Sequence, residues 1–137
     1  MKQTALVVCP GRGTYNAAEL GYLKTHHGAR SEMIAKLDAL RREREQTPIS
    51  ELDAAEKYAP SVHMTGDNAS LLIYGCALAD FAAIDREKYD IVAVTGNSMG
   101  WYLALACAGV LGFEAGGRLV NTMGGIMHRD GKGGQIV

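Results

Sequence analysis

YDIVAVTGNSMGWYLALACAGV, residues 89–110, holds three signals in immediate succession. Tyr89 to Thr95 is a short apolar run rich in β-branched residues, the composition of a strand buried in the middle of a sheet. Gly96-Asn97-Ser98-Met99-Gly100 follows, and then an alanine- and leucine-rich stretch from Trp101 to Val110 that favours helix. A strand, a sharp turn carrying serine and a helix make up the nucleophile elbow, G-x-S-x-G. The glycines have a steric reason. The serine must sit on a strained turn that lifts its hydroxyl clear of the sheet, and the flanking positions then have room for almost no side chain. A helix starting at Ser98 would also aim its first amides at the reacting centre, where a negative oxygen develops. The same five residues fit a glycine-rich turn with a spectator serine, but the strand before and the helix after favour the elbow.

Ahead of this stretch, Asn68 to Ile84 (NASLLIYGCALADFAAI) is apolar nearly all round, as a helix buried on most of its surface must be. Thr4 to Val8 reads as a first strand. The tight loop after it, C-P-G-R-G-T-Y, has Gly11 and Gly13 on either side of Arg12, so its backbone can approach a ligand closely. The Lys-Ser/Thr ending of a phosphate-binding Walker loop is absent. The intervening segment predicts a short helix over 15–25 broken near Gly28 and a surface helix from Ser31 to Gln46 capped by Ser31. A further short helix runs from Pro48 to Tyr58. Beyond the elbow helix, Gly109 to Phe113 reads as a turn. Glu114 to Met127 reads as a helix whose Gly116, Gly117, Gly124 and Gly125 imply close packing or a ligand. Asp130 to Gly134 reads as a loop, and Gln135 to Val137 as the start of a strand.

Strands alternating with helices predict an α/β fold with a parallel sheet. Two or three strands are too few to bury helix 68–84 against both faces of a sheet. The sheet is therefore expected to be incomplete without a C-terminal part or a second chain.

Composition sets the outer limits. A chain of 137 residues has room for one domain with a real core, and 47% hydrophobic with 21% charged residues is ordinary for a soluble protein. The formal net charge of −1 gives no attraction to nucleic acid or to an anionic membrane. Arg41, Arg42 and Arg44 interleave with Glu43 and Glu45, the pattern of a solvated helix face. Of the three cysteines, Cys76 and Cys107 fall in apolar helical stretches, where reduced core thiols are expected. Neither C-x-x-C nor H-E-x-x-H occurs, so no metal site is expected. The N-terminal apolar run is too short for a secretory signal and no apolar stretch is long enough to span a bilayer, which predicts a cytoplasmic protein.

Three segments together, C-P-G-R-G, NASLLIYGCALADF and GNSMGWYLALACAGVLGFEAGGRLVNTMGGIM, resemble the malonyl-CoA:acyl carrier protein transacylase family. That family shows F-P-G-Q-G, T-Q-P-A-L before a buried helix, G-H-S-L-G-E-Y-A-A-L, and R-L-V-x-x-R-G-x-x-M. The match spans nearly all of this chain but only the N-terminal half of the family's domain, so residues 1–137 are expected to be the N-terminal portion of the large α/β subdomain. The third segment is the specific one: Ser98, Gly100, Tyr102, Ala108-Gly109-Val110, Arg118-Leu119-Val120 and Met127 align without a gap.

The resemblance implies a ping-pong acyl transfer in fatty acid or polyketide biosynthesis. The acyl group moves from acyl-CoA, as substrate, to a serine ester and on to the phosphopantetheine thiol of acyl carrier protein, with no bound cofactor. Carried over residue by residue, it makes Ser98 the nucleophile and the backbone amides of Met99 and Arg12 the oxyanion donors. Asn97 stands where the family has histidine, Trp101 where it has glutamate, and Asn68-Ala69 where it has Gln-Pro; Asn97 and Asn68 are kept as substrate-binding candidates. Met123 occupies the position of the family arginine that pairs with the malonyl carboxylate. Unless Arg12 or Arg118 supplies the cation, the preferred acyl group should lack a free carboxylate. The family's general-base histidine lies far downstream of the elbow. Here His26, His27 and His63 read as surface residues and His128 as a helix C-cap. Two other readings stand beside transfer. One is a patatin-like serine acyl hydrolase, for which Asp130-Gly131 is a poor imitation of the required D-G-G or D-G-A. The other is a non-catalytic docking fragment.

Overall fold

Two parallel strands bring the two glycine-rich loops to the same end of a sheet. The computed structural model describes residues 1–132; the strand start expected at Gln135 to Val137 lies outside them. β1 (Gln3–Cys9) and β2 (Tyr89–Gly96) pair from Gln3 opposite Tyr89 to Cys9 opposite Gly96, with a bulge that leaves Val92 without a partner. Because both strands run the same way, the loop after Cys9 and the elbow after Gly96 emerge side by side. These are the only strands among the described residues.

Between them the chain climbs through five α-helices: α1 (Tyr22–His27), α2 (Ser31–Arg42), α3 (Ile49–Asp53), α4 (Pro60–His63) and α5 (Gly66–Ala83). After β2 come α6 (Gly100–Cys107) and α7 (Phe113–Asp130). The helix expected over 15–25 is instead a 3₁₀ turn at Ala17–Glu19 and then α1, split at Gly21, which takes a left-handed φ of 85°. Asp53 Oδ1 and Oδ2 accept the first amides of α1, from Leu23 and Lys24, each at 3.3 Å. Ser31 is the first residue of α2 and caps nothing, and α2 stops at Arg42 rather than Gln46. The helix expected over 48–58 shrinks to α3, whose Ser50 amide is held by Asp38 at 3.1 Å.

α5 lies at the centre. Leu71, Leu72, Ile73 and Tyr74 are four consecutive buried residues, which only a helix surrounded on all sides can offer. α7 crosses it at the small residues the sequence advertised. A Cβ on Gly124 would collide with the Gly66 carbonyl and with Ser70, and one on Gly117 would come within 2.9 Å of Leu37. Gly125 faces open space, so close packing accounts for three of the four glycines and not for that one. Tyr74 fastens the start of α7 by donating to the Phe113 carbonyl at 2.6 Å, and its burial pushes its pKa up.

Two expectations fail here. β2 is not sandwiched: Ala5, Val7 and Val94 turn toward the helices, whereas Leu6, Val8 and Val92 are exposed, since the described helices cover one face of the pair. Nor is Arg41 on a solvated face. Its position four residues beyond Leu37 puts it on the buried side of α2, where it is 0% exposed. Its guanidinium donates to the Thr47 carbonyl at 2.8 Å, to the Asp67 carbonyl, and to the amide oxygens of Asn68 and Asn121 (3.1 Å to Asn121). This one side chain ties α2, α5 and α7 together. No helix among the described residues is long and apolar enough to cross a membrane.

Candidate active site

The bend between β2 and α6 is built as the glycine pattern requires. Ser98 has φ 52°, in the left-handed region that costs a side-chain-bearing residue roughly 1–3 kcal/mol. α6 begins at Gly100, two residues later than a helix start at Ser98 would have it. The bend is pinned by Asn97 N–H to the Cys9 carbonyl (3.3 Å), Gly100 N–H to the Asn97 carbonyl (2.8 Å) and Trp101 N–H to the Ser98 carbonyl (3.1 Å). Space is as tight as the hydrogen bonding. A Cβ on Gly100 would strike the Cys9 carbonyl, one on Gly96 would strike the Gly100 carbonyl, and one on Gly11 would sit 2.9 Å from the Asn97 oxygen. The backbone cradle from β1, β2 and α6 leaves Asn97 and Ser98 exposed at the bend.

Ser98 opens on a cavity of about 240 Å³ walled by Arg12, Ser70, Met99, Tyr102, Val120, Met123, Gly124 and Met127. Among the described residues, the backbone N–H groups of Met99 and Arg12 have no hydrogen-bond acceptor. Among the described residues, Arg12 is the only charged side chain on this wall, and it forms no ion pair within 4 Å with any of them. It also lines a neighbouring cavity of about 200 Å³ with Tyr15, His63 and Met64.

The remaining candidates distribute as follows. Met123 lines the Ser98 cavity. Asn97 is exposed beside Ser98 but does not line it, and its backbone serves the bend. Asn68 is occupied elsewhere, its amide oxygen accepting from Arg41 and its Nδ2 donating to the Val62 carbonyl at 3.0 Å. Arg118 is held outside the cavity by a two-pronged contact to Glu43 at 2.7 and 3.2 Å, which lowers the Glu43 pKa and raises that of Arg118. Among the described residues, Arg12 is therefore the one that brings a cation to the wall that Met123 shares.

The histidines depart from expectation. His27 is buried with Nε2 2.6 Å from Asp80, and His63 is buried between the rings of Tyr15 and Tyr58. In His63, Nε2 lies 3.0 Å from the Leu52 carbonyl and Nδ1 lies 3.1 Å from both the N–H and the carbonyl of Ala59, so both nitrogens are engaged by backbone. His128 lies inside the last turn of α7, 3.8 Å from Asp67. None of the four lines the Ser98 cavity. Ser70 does, although nothing in its own neighbourhood marks it out: its hydroxyl bonds back to the Gly66 carbonyl at 2.5 Å, and only the close crossing of α7 brings it there.

No family model matches the chain, and no curated protein does. Solved structures do match. The chain is similar to an acyl carrier protein S-malonyltransferase from Vibrio cholerae, with a TM-score of 0.74 and 19% identity over 93% of this chain and 40% of that one. It is also similar to MCAT from Mycobacterium tuberculosis, with a TM-score of 0.71 and 21% identity over 93% of this chain and 41% of that one. The α/β fold with its parallel strands is thus that of part of an S-malonyltransferase, in agreement with the resemblance in the sequence. The chain spans about two fifths of the length of the structures it matches.

Proposed function

We propose that the chain carries the nucleophile side of an acyltransferase site. In this reading Ser98 takes an acyl group from acyl-CoA and yields it to the phosphopantetheine thiol of an acyl carrier protein. The observation that carries it is the left-handed backbone of an exposed Ser98 on a bend that glycines enclose. Ser98 Oγ attacks the thioester carbonyl and loses its proton to a base. The C–S bond then breaks, coenzyme A leaves as its thiol, and an ester remains on Ser98. The carrier thiol attacks that ester in turn and restores the hydroxyl. The unspent N–H groups of Met99 and Arg12 hold the oxygen that becomes negative in each half-reaction.

Among the described residues no histidine, aspartate or glutamate lines the cavity. The base is therefore assigned to a companion segment or a second chain, and residues 1–137 alone are expected to be inactive as a catalyst. The acyl end of the substrate meets Met123, and Arg12 offers a cation on the same wall. A free carboxylate is accordingly not excluded in the way Met123 alone would suggest. Hydrolysis of the patatin-like kind would use Asp130, but Asp130 is exposed at the end of α7, is paired with Arg129 at 3.1 Å and does not line the cavity.

The test is chemical. The protein is incubated with malonyl-CoA or acetyl-CoA and mapped by mass spectrometry. An ester on Ser98 that vanishes in Ser98→Ala is expected, and a label that survives that substitution rejects the assignment.

A further inference from the structure

We propose that Cys9 and Cys107 are a redox-active pair that closes into a disulfide at the base of the elbow. Their sulfurs lie 3.7 Å apart although the residues are 98 positions apart in the chain. A disulfide needs about 2.05 Å, a distance that small side-chain rotations in two neighbouring elements can cover. Cys9 ends β1 and is buried; Cys107 ends α6 and is partly exposed. Both face a cavity of about 360 Å³ that Val7, Val8 and Ala77 also line, roomy enough for a small oxidant.

The two sulfurs stand behind the nucleophile. The Cys9 carbonyl accepts the Asn97 amide and abuts Gly100, the first residue of the helix that Cys107 ends. A covalent link would close a ring through the β1 end, the elbow and α6.

The reaction balances with hydrogen peroxide as co-reactant. Cys107, the more accessible thiol, attacks the peroxide oxygen as its thiolate and becomes a sulfenic acid while the O–O bond breaks and one water leaves. The Cys9 thiolate then attacks the Cys107 sulfur and expels hydroxide, which takes up a proton as the second water. Two thiols are oxidised by two electrons and one peroxide is reduced. Burial pushes the Cys107 thiol up to about 12, with Arg86 pulling weakly the other way, and it raises Cys9 as well. The pair is consequently slow, and sustained peroxide is needed to close it.

The experiment treats the full chain with hydrogen peroxide, alkylates in guanidinium with N-ethylmaleimide, and reads intact mass and peptide map. The expected product has lost two hydrogens, carries maleimide on Cys76 alone, and yields a Cys9–Cys107 cross-link that dithiothreitol reverses. Cys76→Ser should close equally well and Cys107→Ser should not. Closing so long a loop at a preformed contact should raise Tm by roughly 5–15 °C. Three alkylated cysteines after oxidation, a link through Cys76, a link between two chains, or a closed form with unchanged or lower Tm would each overturn the proposal.

Discussion

Replacing Arg41 by methionine tests whether one buried guanidinium holds the three central helices together. The substitution keeps a long, flexible stem of comparable reach but removes every donor. Four acceptors lose their partner: the carbonyls of Thr47 and Asp67 and the amide oxygens of Asn68 and Asn121. The two asparagines retain other bonds, Nδ2 of Asn68 to Val62 and Nδ2 of Asn121 to Gln46 at 2.7 Å, and can readjust. The two carbonyls lose a charged donor at a part-buried site, which costs up to about 1–3 kcal/mol each. Relief from burying the charge returns part of this, because burial already drags the Arg41 pKa down. The net expectation is a loss of about 2–4 kcal/mol, a large share of the roughly 5–15 kcal/mol of a typical domain. Urea unfolding reads it directly: with a slope of about 1.5 kcal/mol/M, the midpoint should fall by roughly 1.3–2.7 M. Exposed Arg42 in the next position is the control, and Arg42→Met should stay within about 0.5 kcal/mol of the parent. If Arg41→Met unfolds within that same margin, or if both variants lose equally, the hub is not what holds the helices.

Gly124→Val should destabilise by about 2–4 kcal/mol, because its side chain has nowhere to go but into the Gly66 carbonyl and Ser70; Gly125→Val, facing open space, should cost under about 1 kcal/mol in the same unfolding assay. Met123→Arg should shift Ser98 acylation toward malonyl-CoA relative to acetyl-CoA by roughly 10- to 100-fold in kcat/KM, and an unchanged ratio would mean that residue 123 does not meet the acyl end. Stability should also fall in alkali. Burial and the bond to Asp80 hold the Tyr22 proton to about 12 against an ordinary 10, so above about pH 10 the unfolded chain binds fewer protons than the folded one and stability drops as pH rises. Tyr22 sits near the surface, so solvent screens its share, but Tyr15 and Tyr74, also raised, act in the same sense. Tm measured at about pH 8, 10 and 11.5 should be level and then descend; a flat or rising curve contradicts these shifts.

What could be read without the structure was whatever neighbours in the chain decide among themselves. β2, the elbow and α6 are contiguous, so strand composition, glycine spacing and helix composition state the same conclusion within 22 residues, and the strained Ser98 follows from them. The all-round apolar α5 and the glycines of α7 were legible for the same reason: burial on every side and close crossing leave their marks at each position separately. Arg41, Arg42 and Arg44 look alike as letters, and only the packing of α5 and α7 against α2 makes the first a buried hub and leaves the others in solvent. His27 and His63 read as surface residues in the sequence because polar neighbours say nothing of the tyrosines and the aspartate that fold over them from up to 53 positions away. The Arg12 side chain on the Met123 wall and the Cys9–Cys107 contact depend in the same way on two distant strands coming into parallel register. Local propensity acts over a few residues, whereas the wall of a cavity is chosen by which elements the core draws together, and that selection exists only once the chain has collapsed.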